Sequence, residues 1–139
     1  MVTRVFADTS AILALLDRAD PQHVAVRTAF AGLVDATLVT HGYVVAESLA
    51  VARRRFGVEG AMALLDNILP VVDIVGVEPE LHRRVQAVYR LSLPSGISFV
   101  DRLSFAVIER EAVDAVFATD ADFRAVGVPL VPAPSQPTP

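Results

Sequence analysis

Four acidic residues stand where carboxylates are costly. Asp8 closes the apolar run Val5-Phe6-Ala7 and is followed by Thr9-Ser10. Glu47 interrupts an apolar stretch at 44–51. Asp101 follows Ile97-Ser98-Phe99-Val100, and Asp120 ends Ala115-Val116-Phe117-Ala118-Thr119. A buried carboxylate is expensive unless it is paired, hydrogen-bonded or bound to a cation. Four in apolar settings point to one shared acidic pocket, the cage expected for a hard divalent ion such as magnesium or manganese. One or two divalent ions so held can activate a water and relieve developing negative charge.

The elements that must position these acids follow from periodicity and punctuation. Residues 2–7 read as a buried strand, and 10–16 as a helix capped by Asp8 or Thr9. Asp20-Pro21 signals a second helix start, with Val24, Phe30, Leu33 and Val34 as its apolar face. Residues 36–40 read as a strand, 43–56 as a helix stopped by Gly57, and 58–69 as a helix with Met62, Leu65 and Leu69 recurring. Pro70 breaks it. Residues 71–75 read as a strand covered on both faces. Glu78-Pro79 opens a helix to residue 91, and Pro94-Ser95-Gly96 is a loop. Ser98 caps a helix over 99–111. Residues 115–118 form a strand, 120–125 a short helical turn ended by Gly127, and 130–131 a last strand.

Strands alternating with helices predict a three-layer α/β/α sandwich with a small, mostly parallel central sheet. Ligands bind beyond the carboxyl ends of such strands, where Asp8 and Asp120 fall. Glu47 and Asp101 lie near helix starts, whose positive dipole ends are expected to help keep them ionised.

The chain has 139 residues, enough for one domain over 1–131, and a proline-rich tail at 132–139 that reads as disordered. Hydrophobic residues make up 53% and mean hydropathy is +0.50, which predicts apolar surface hidden in an oligomer or partner interface. No uncharged apolar run approaches the roughly 20 residues of a membrane helix. The first residues lack the layout of a signal peptide. With no cysteine there is no disulfide, thiolate metal site or cysteine nucleophile. A cytoplasmic location is expected.

Net charge is −4 and the pI about 5.2, which argues against a protein that holds nucleic acid by bulk positive charge but not against an enzyme that touches it briefly through a metal. All twelve basic residues are arginine. The lack of lysine counts against a phospho-receiver domain and a P-loop nucleotide binder. A phosphatase-like hydrolase using Asp8 as nucleophile wants a second Asp at position 10, where Ser10 stands. Arg53-Arg54-Arg55 ends the third helix, either as favourable charge at a helix terminus or as an RNA-backbone contact. Arg102 is placed to touch substrate or to pair with a carboxylate. His23, His41 and His82 have no metal-ligand spacing and read as surface or structural.

Together Phe6-Ala7-Asp8-Thr9-Ser10, Glu47, the stretch Ser98-Phe99-Val100-Asp101-Arg102-Leu103-Ser104-Phe105 and Thr119-Asp120-Ala121-Asp122-Phe123 resemble the PIN-domain ribonucleases. The likeness is greatest to the VapC toxins of prokaryotic toxin–antitoxin pairs, and it covers about residues 3–131. It implies a catalytic quartet of Asp8, Glu47, Asp101 and Asp120, with Asp8 and Asp101 as principal metal ligands and Asp122 as the alternative fourth acid. Thr9, Ser10 and Thr119 would act as supporting groups. It also implies a magnesium- or manganese-dependent endoribonuclease, often a homodimer, blocked by the tail of a VapB-type antitoxin. A catalytically silent PIN-fold binding module is the non-enzymatic alternative.

Overall fold

The computed structural model describes residues 3–134; residues 135–139 of the expected tail, and the first two residues, lie outside that range. Five parallel strands form one sheet: β1 (Arg4–Ala7), β2 (Thr37–His41), β3 (Val72–Val75), β4 (Ala115–Phe117) and β5 (Leu130–Val131), in the order β3-β2-β1-β4-β5. The helices are α1 (Thr9–Leu16), α2 (His23–Ala31), α3 (Gly42–Ala63), α4 (Pro79–Leu91) and α5 (Phe99–Arg110). Right-handed crossovers put α1, α2 and α3 on one face of the sheet, because β1, β2 and β3 progress in one direction. The return from β3 to β4 puts α4 and α5 on the other. The packing of α1 on α2 and α3, and of α4 on α5, agrees. The expected three-layer sandwich is therefore the fold, with every strand pair parallel.

Strand order reverses between β1 and β4. Such a switch point leaves a crevice at the carboxyl ends of the strands, because the flanking crossovers depart to opposite faces. β1 is buried throughout its last three residues and registers Ala7 against Phe117 of β4. Phe6, Phe117 and Phe123 are fully enclosed and anchor this centre. Burying one such ring is worth about 1.5–3 kcal/mol, so Phe117→Ala in the middle of the sheet would cost about 3–5 kcal/mol.

Several local expectations need correction. The stretch 71–75 is not covered on both faces: β3 is an edge strand, with Asp73 and Ile74 exposed. Asp20 does not cap α2. It builds a turn ahead of it, accepting from the Gln22 N–H at 2.7 Å, and the helix begins at His23. The buried residue of α2 is Val26, whereas Val24 and Val34 are 74% and 83% exposed. Past Gly57 the enclosed residues are Leu64 and Ile68; Met62 and Leu65 face outward. The cause is a change of period. A helical bend at Gly57, whose φ is +73°, is followed by a π-helical turn over Leu64–Ile68, which rotates the apolar stripe away from an ideal 3.6-residue repeat. Gly57 does interrupt the helix where expected, although helical hydrogen bonding resumes after it.

Candidate active site

Asp8 follows β1 and is 3% exposed. It caps α1: its Oδ2 accepts from the Ser10 N–H at 3.0 Å and from the Ser10 hydroxyl at 2.6 Å. The same Ser10 oxygen accepts from the backbone N–H groups of Thr119 at 3.0 Å and Asp120 at 3.3 Å. One hydroxyl thus ties the end of β1 to the turn after β4. Asp120 caps the 3-10 turn Ala121–Val126 and accepts from the Asp122 N–H at 2.9 Å. Asp101 lies in the first turn of α5, whose cap Ser98 accepts from the Asp101 N–H at 3.1 Å. Glu47 is half-buried near the start of α3.

Carboxylate oxygens of Asp101, Asp120 and Asp122 lie within 4.8 Å of one another. Asp8 and Glu47 fall outside that tight trio, yet their charges act on it. Asp101 is pushed up to about 7, first by burial and then by the charges of Asp8, Asp120, Glu47 and Asp122. Asp8 is pushed up to about 6 by burial, with Glu47 adding to the rise and the Ser10 and Thr9 hydrogen bonds opposing it. At Asp101, desolvation and mutual repulsion therefore outweigh the helix-dipole stabilisation expected there. Among the described residues, no arginine forms an ion pair with any of the five acids.

The neighbours sort into distinct roles. Ser10 makes the expected supporting bond to a site carboxylate. Thr9 instead accepts from the Ser48 hydroxyl at 3.2 Å, joining α1 to α3 beside Glu47. Thr119 contributes its backbone N–H to Ser10. Asp122, read as an alternative to Asp120, joins it in the same cluster; the Asp-x-Asp spacing around a tight turn is the signal for both. Arg102 turns from the acids: its Nη2 donates to the Ser95 hydroxyl at 3.3 Å and its guanidinium lies 6.0 Å from the Phe105 ring centroid. Arg53, Arg54 and Arg55 are exposed, and Arg55 meets Asp17 at 3.5 Å.

His41 is the structural residue that sequence reading left unspecified. It is wholly buried at the end of β2 and caps α3, with Nδ1 accepting from the Tyr43 and Val44 N–H groups at 3.2 and 3.4 Å. Nε2 therefore carries the proton and donates to the Ser104 hydroxyl of α5 at 2.9 Å. The pair links the two helices that carry Glu47 and Asp101. Burial, helped by Arg110, lowers His41 to about 4. A His-Gly pair between a strand and an apolar helix is a faint sequence signal for such a cap.

The PIN domain family model matches residues 5–129. The 23S rRNA-specific endonuclease VapC20 of Mycobacterium tuberculosis is 28% identical over 124 residues, covering 88% of this chain and 94% of that protein. The crystal structure of VapC20, described as a Sarcin-Ricin loop cleaving toxin, superposes with a TM-score of 0.79 at 27% identity, over 89% of this chain and 95% of the other. A VapBC2 structure from Rickettsia felis, bound to a promoter DNA fragment, has a TM-score of 0.69 at 14% identity, over 92% and 97% of the two chains, and bears on fold alone. With the switch-point crevice, the acids around it and a family match spanning nearly the whole domain, the chain belongs to the PIN-domain family.

Proposed function

We propose that this chain is a divalent-cation-dependent endoribonuclease, the toxin of a VapBC-type toxin–antitoxin pair. One observation carries the reading: carboxylate oxygens of Asp101, Asp120 and Asp122 lie within 4.8 Å of one another, the charges of Asp8 and Glu47 act on them, and among the described residues no arginine is ion-paired with any of the five. The donor set fits magnesium or manganese, being hard carboxylate oxygen with no thiolate or imidazole within it. When bound, such a cation supplies charge relief and water activation.

The chain's own residues do the rest. Asp101, Asp120 and Asp122 offer a close set of oxygens, and Asp8 faces them with its carboxylate fixed by Ser10. Glu47 completes the acidic wall from α3. A carboxylate of the cluster takes the proton of the attacking water. Water attacks phosphorus in line, the P–O3′ bond breaks, and the 3′ oxygen takes up a proton. No 2′-hydroxyl attack is required, so the products carry a 5′ phosphate and a 3′ hydroxyl. The activity of the mycobacterial relative makes a ribosomal RNA loop the first substrate to test.

Two further assignments rest on surface and kinship. Exposed Val58, Met62 and Leu65, with Val88, Leu91 and Leu93, leave apolar area suited to a homodimer. Light scattering is expected to give twice the 14.9 kDa chain mass near micromolar concentration. A VapB-type antitoxin is the expected inhibitor, its tail covering the acidic mouth. No helix among the described residues is long and apolar enough to cross a membrane, and a cytoplasmic site of action suits an RNA target. A phosphatase using Asp8 fits less well, since Asp8 is packed against Ser10 where a second carboxyl would be wanted.

The test is end-group analysis of RNA fragments formed with magnesium or manganese. Terminal 5′ phosphates, lost on chelation, are expected. Cyclic 2′,3′-phosphate ends, or cleavage surviving both chelation and Asp101→Ala, overturn the reading. RNA binding without any cleavage would favour the silent binding module.

A further inference from the structure

Four rings gather around the first turn of α3. Tyr43 of α3 lies 5.6 Å from His82 of α4 and 6.2 Å from Phe99 of α5, measured between ring centroids. His82 and Phe99 are 5.1 Å apart, and Tyr89 of α4 meets Phe99 edge-on at 5.6 Å. The Tyr43 hydroxyl and His82 Nε2 are hydrogen-bonded at 2.7 Å. His82, Tyr89 and Phe99 are half-buried, and their packing joins α4 to α5. Tyr43 is different. It remains 40% exposed although three neighbours hold its ring in place.

The position of Tyr43 gives that exposed ring a use. It precedes Glu47 by four residues, and residues so spaced on a helix are surface neighbours, about 5–6 Å apart at Cβ. Through Tyr43, the ring cluster therefore neighbours Glu47 on the α3 side of the acidic group. Tyr43 also lines an open groove of about 440 Å³ between α3 and the edge strand, with Gly42, Ala46, Ile74 and Val77.

The occupant follows from charge. The crevice is acidic and the chain carries a net charge of −4, so bulk attraction for phosphate cannot hold an RNA strand here. Single-stranded RNA offers a second source of affinity, because its unstacked bases lie flat on aromatic rings. A base beside the cleaved phosphate must leave the acidic crevice, and Tyr43 is the exposed ring on its rim.

We propose that Tyr43, braced by His82 and Phe99, is a stacking platform for the nucleobase next to the cleaved phosphodiester, setting KM rather than kcat. The proposal rests on the RNA-cleaving reading of the acidic site. It deepens that reading by naming a base-recognition residue.

The chain has two tyrosines and no tryptophan, and both tyrosines belong to this cluster. Intrinsic fluorescence therefore reports on it directly. Mixed-sequence single-stranded RNA, titrated with calcium present so that binding is read without turnover, is expected to quench the emission of the full chain. A strand of equal length with abasic positions should quench far less. Tyr43→Leu should weaken RNA binding about tenfold, within the range of one lost base stack. Tyr43→Phe, which keeps the ring, should restore it, and Tyr89→Phe should keep the quenching. In cleavage assays with manganese, Tyr43→Leu should raise KM by a similar factor with kcat little changed.

Unaltered RNA affinity in Tyr43→Leu overturns the platform. So does an equal loss for normal and abasic strands, which would mark a merely structural role. Cleavage by the wild type with no quenching and an unchanged KM in Tyr43→Leu overturns the platform while the nuclease reading stands. Base-dependent quenching without any cleavage removes the nuclease reading and overturns the proposal with it, leaving base binding at Tyr43 alone.

Discussion

At the carboxyl edge of the sheet, one strand apart, two buried titratable sites are treated in opposite ways. Around the end of β1, Asp8 and Asp101 are protonated far more readily than free carboxyls, pushed up to about 6 and about 7. At the end of β2, His41 resists protonation, down to about 4. Burial is the largest cause in both, since it disfavours whichever form is charged. The difference lies in what each group finds around it. Both His41 nitrogens are used, one by two backbone N–H groups and one by Ser104, so the neutral ring completes its surroundings. The acids mainly find one another. A buried group whose bonds are complete is holding the fold. Buried charges of one sign with no opposite partner are waiting for a ligand.

The largest effect should separate the two sites by activity. Asp101→Ala is expected to reduce RNA cleavage more than about a hundredfold, beyond the usual loss on removing an outer partner of a metal ligand. His41→Ala should leave cleavage largely intact in whatever protein is folded. If both variants lose cleavage equally while folded, the distinction fails. Ser10→Ala comes next. It frees Asp8 and cuts the tie to the 119–120 turn, so a loss of about 10–100-fold in cation affinity or activity is expected from titration and kinetics.

Stability effects are smaller and of opposite sign. His41→Ala removes a helix-cap acceptor and leaves the buried Ser104 hydroxyl unpartnered, which should cost about 1–3 kcal/mol by denaturant unfolding. Glu47→Gln should raise the cation-free melting temperature and shrink the rise produced by magnesium or manganese. The pH dependences are likewise opposed. Asp8 and Asp101 have raised folded-state pKa values, so their contribution is present below about 4 and is lost as pH climbs through 6 and 7. His41 has a lowered one, so its contribution is present above about 6.5 and is lost as pH falls toward 4. In His41→Ala the opposing histidine trend is gone, and cation-free stability should decline from pH 4 to 7 as the raised Asp8 and Asp101 carboxyls ionise. A melting profile that instead rises over that interval would show that the carboxylates are not destabilised by burial.

Much of this site was legible in the sequence because acids in apolar runs are conspicuous, and the strand and helix starts around them carry their own punctuation. Asp8 and Asp120 needed only the rule that ligands gather beyond strand ends, and Asp101 stood out as an acid in an apolar run near a helix start. The rest depended on the fold. Which neighbour Ser10 or Thr9 bonds is set by how α1 lies against α3 and the turn after β4, and no spacing encodes that. His41 meets Ser104 across 63 positions of chain. The misplaced apolar stripe of 58–69 has a similar origin, since a π-helical turn changes the residue period without a distinctive composition. Edge and central strands also read alike over four residues, so only the pairing order revealed that β3 is exposed.

The central claim is that the acids after β1 and β4 form one cation site held partly protonated until it is filled. Calorimetric titration of manganese at pH 6.5, in buffers of different ionisation enthalpy, tests it most directly. The expected result is a buffer-dependent heat showing net proton release as manganese binds, diminished together with affinity in Asp101→Asn. Manganese binding that releases no protons and is unchanged in Asp101→Asn would contradict the account.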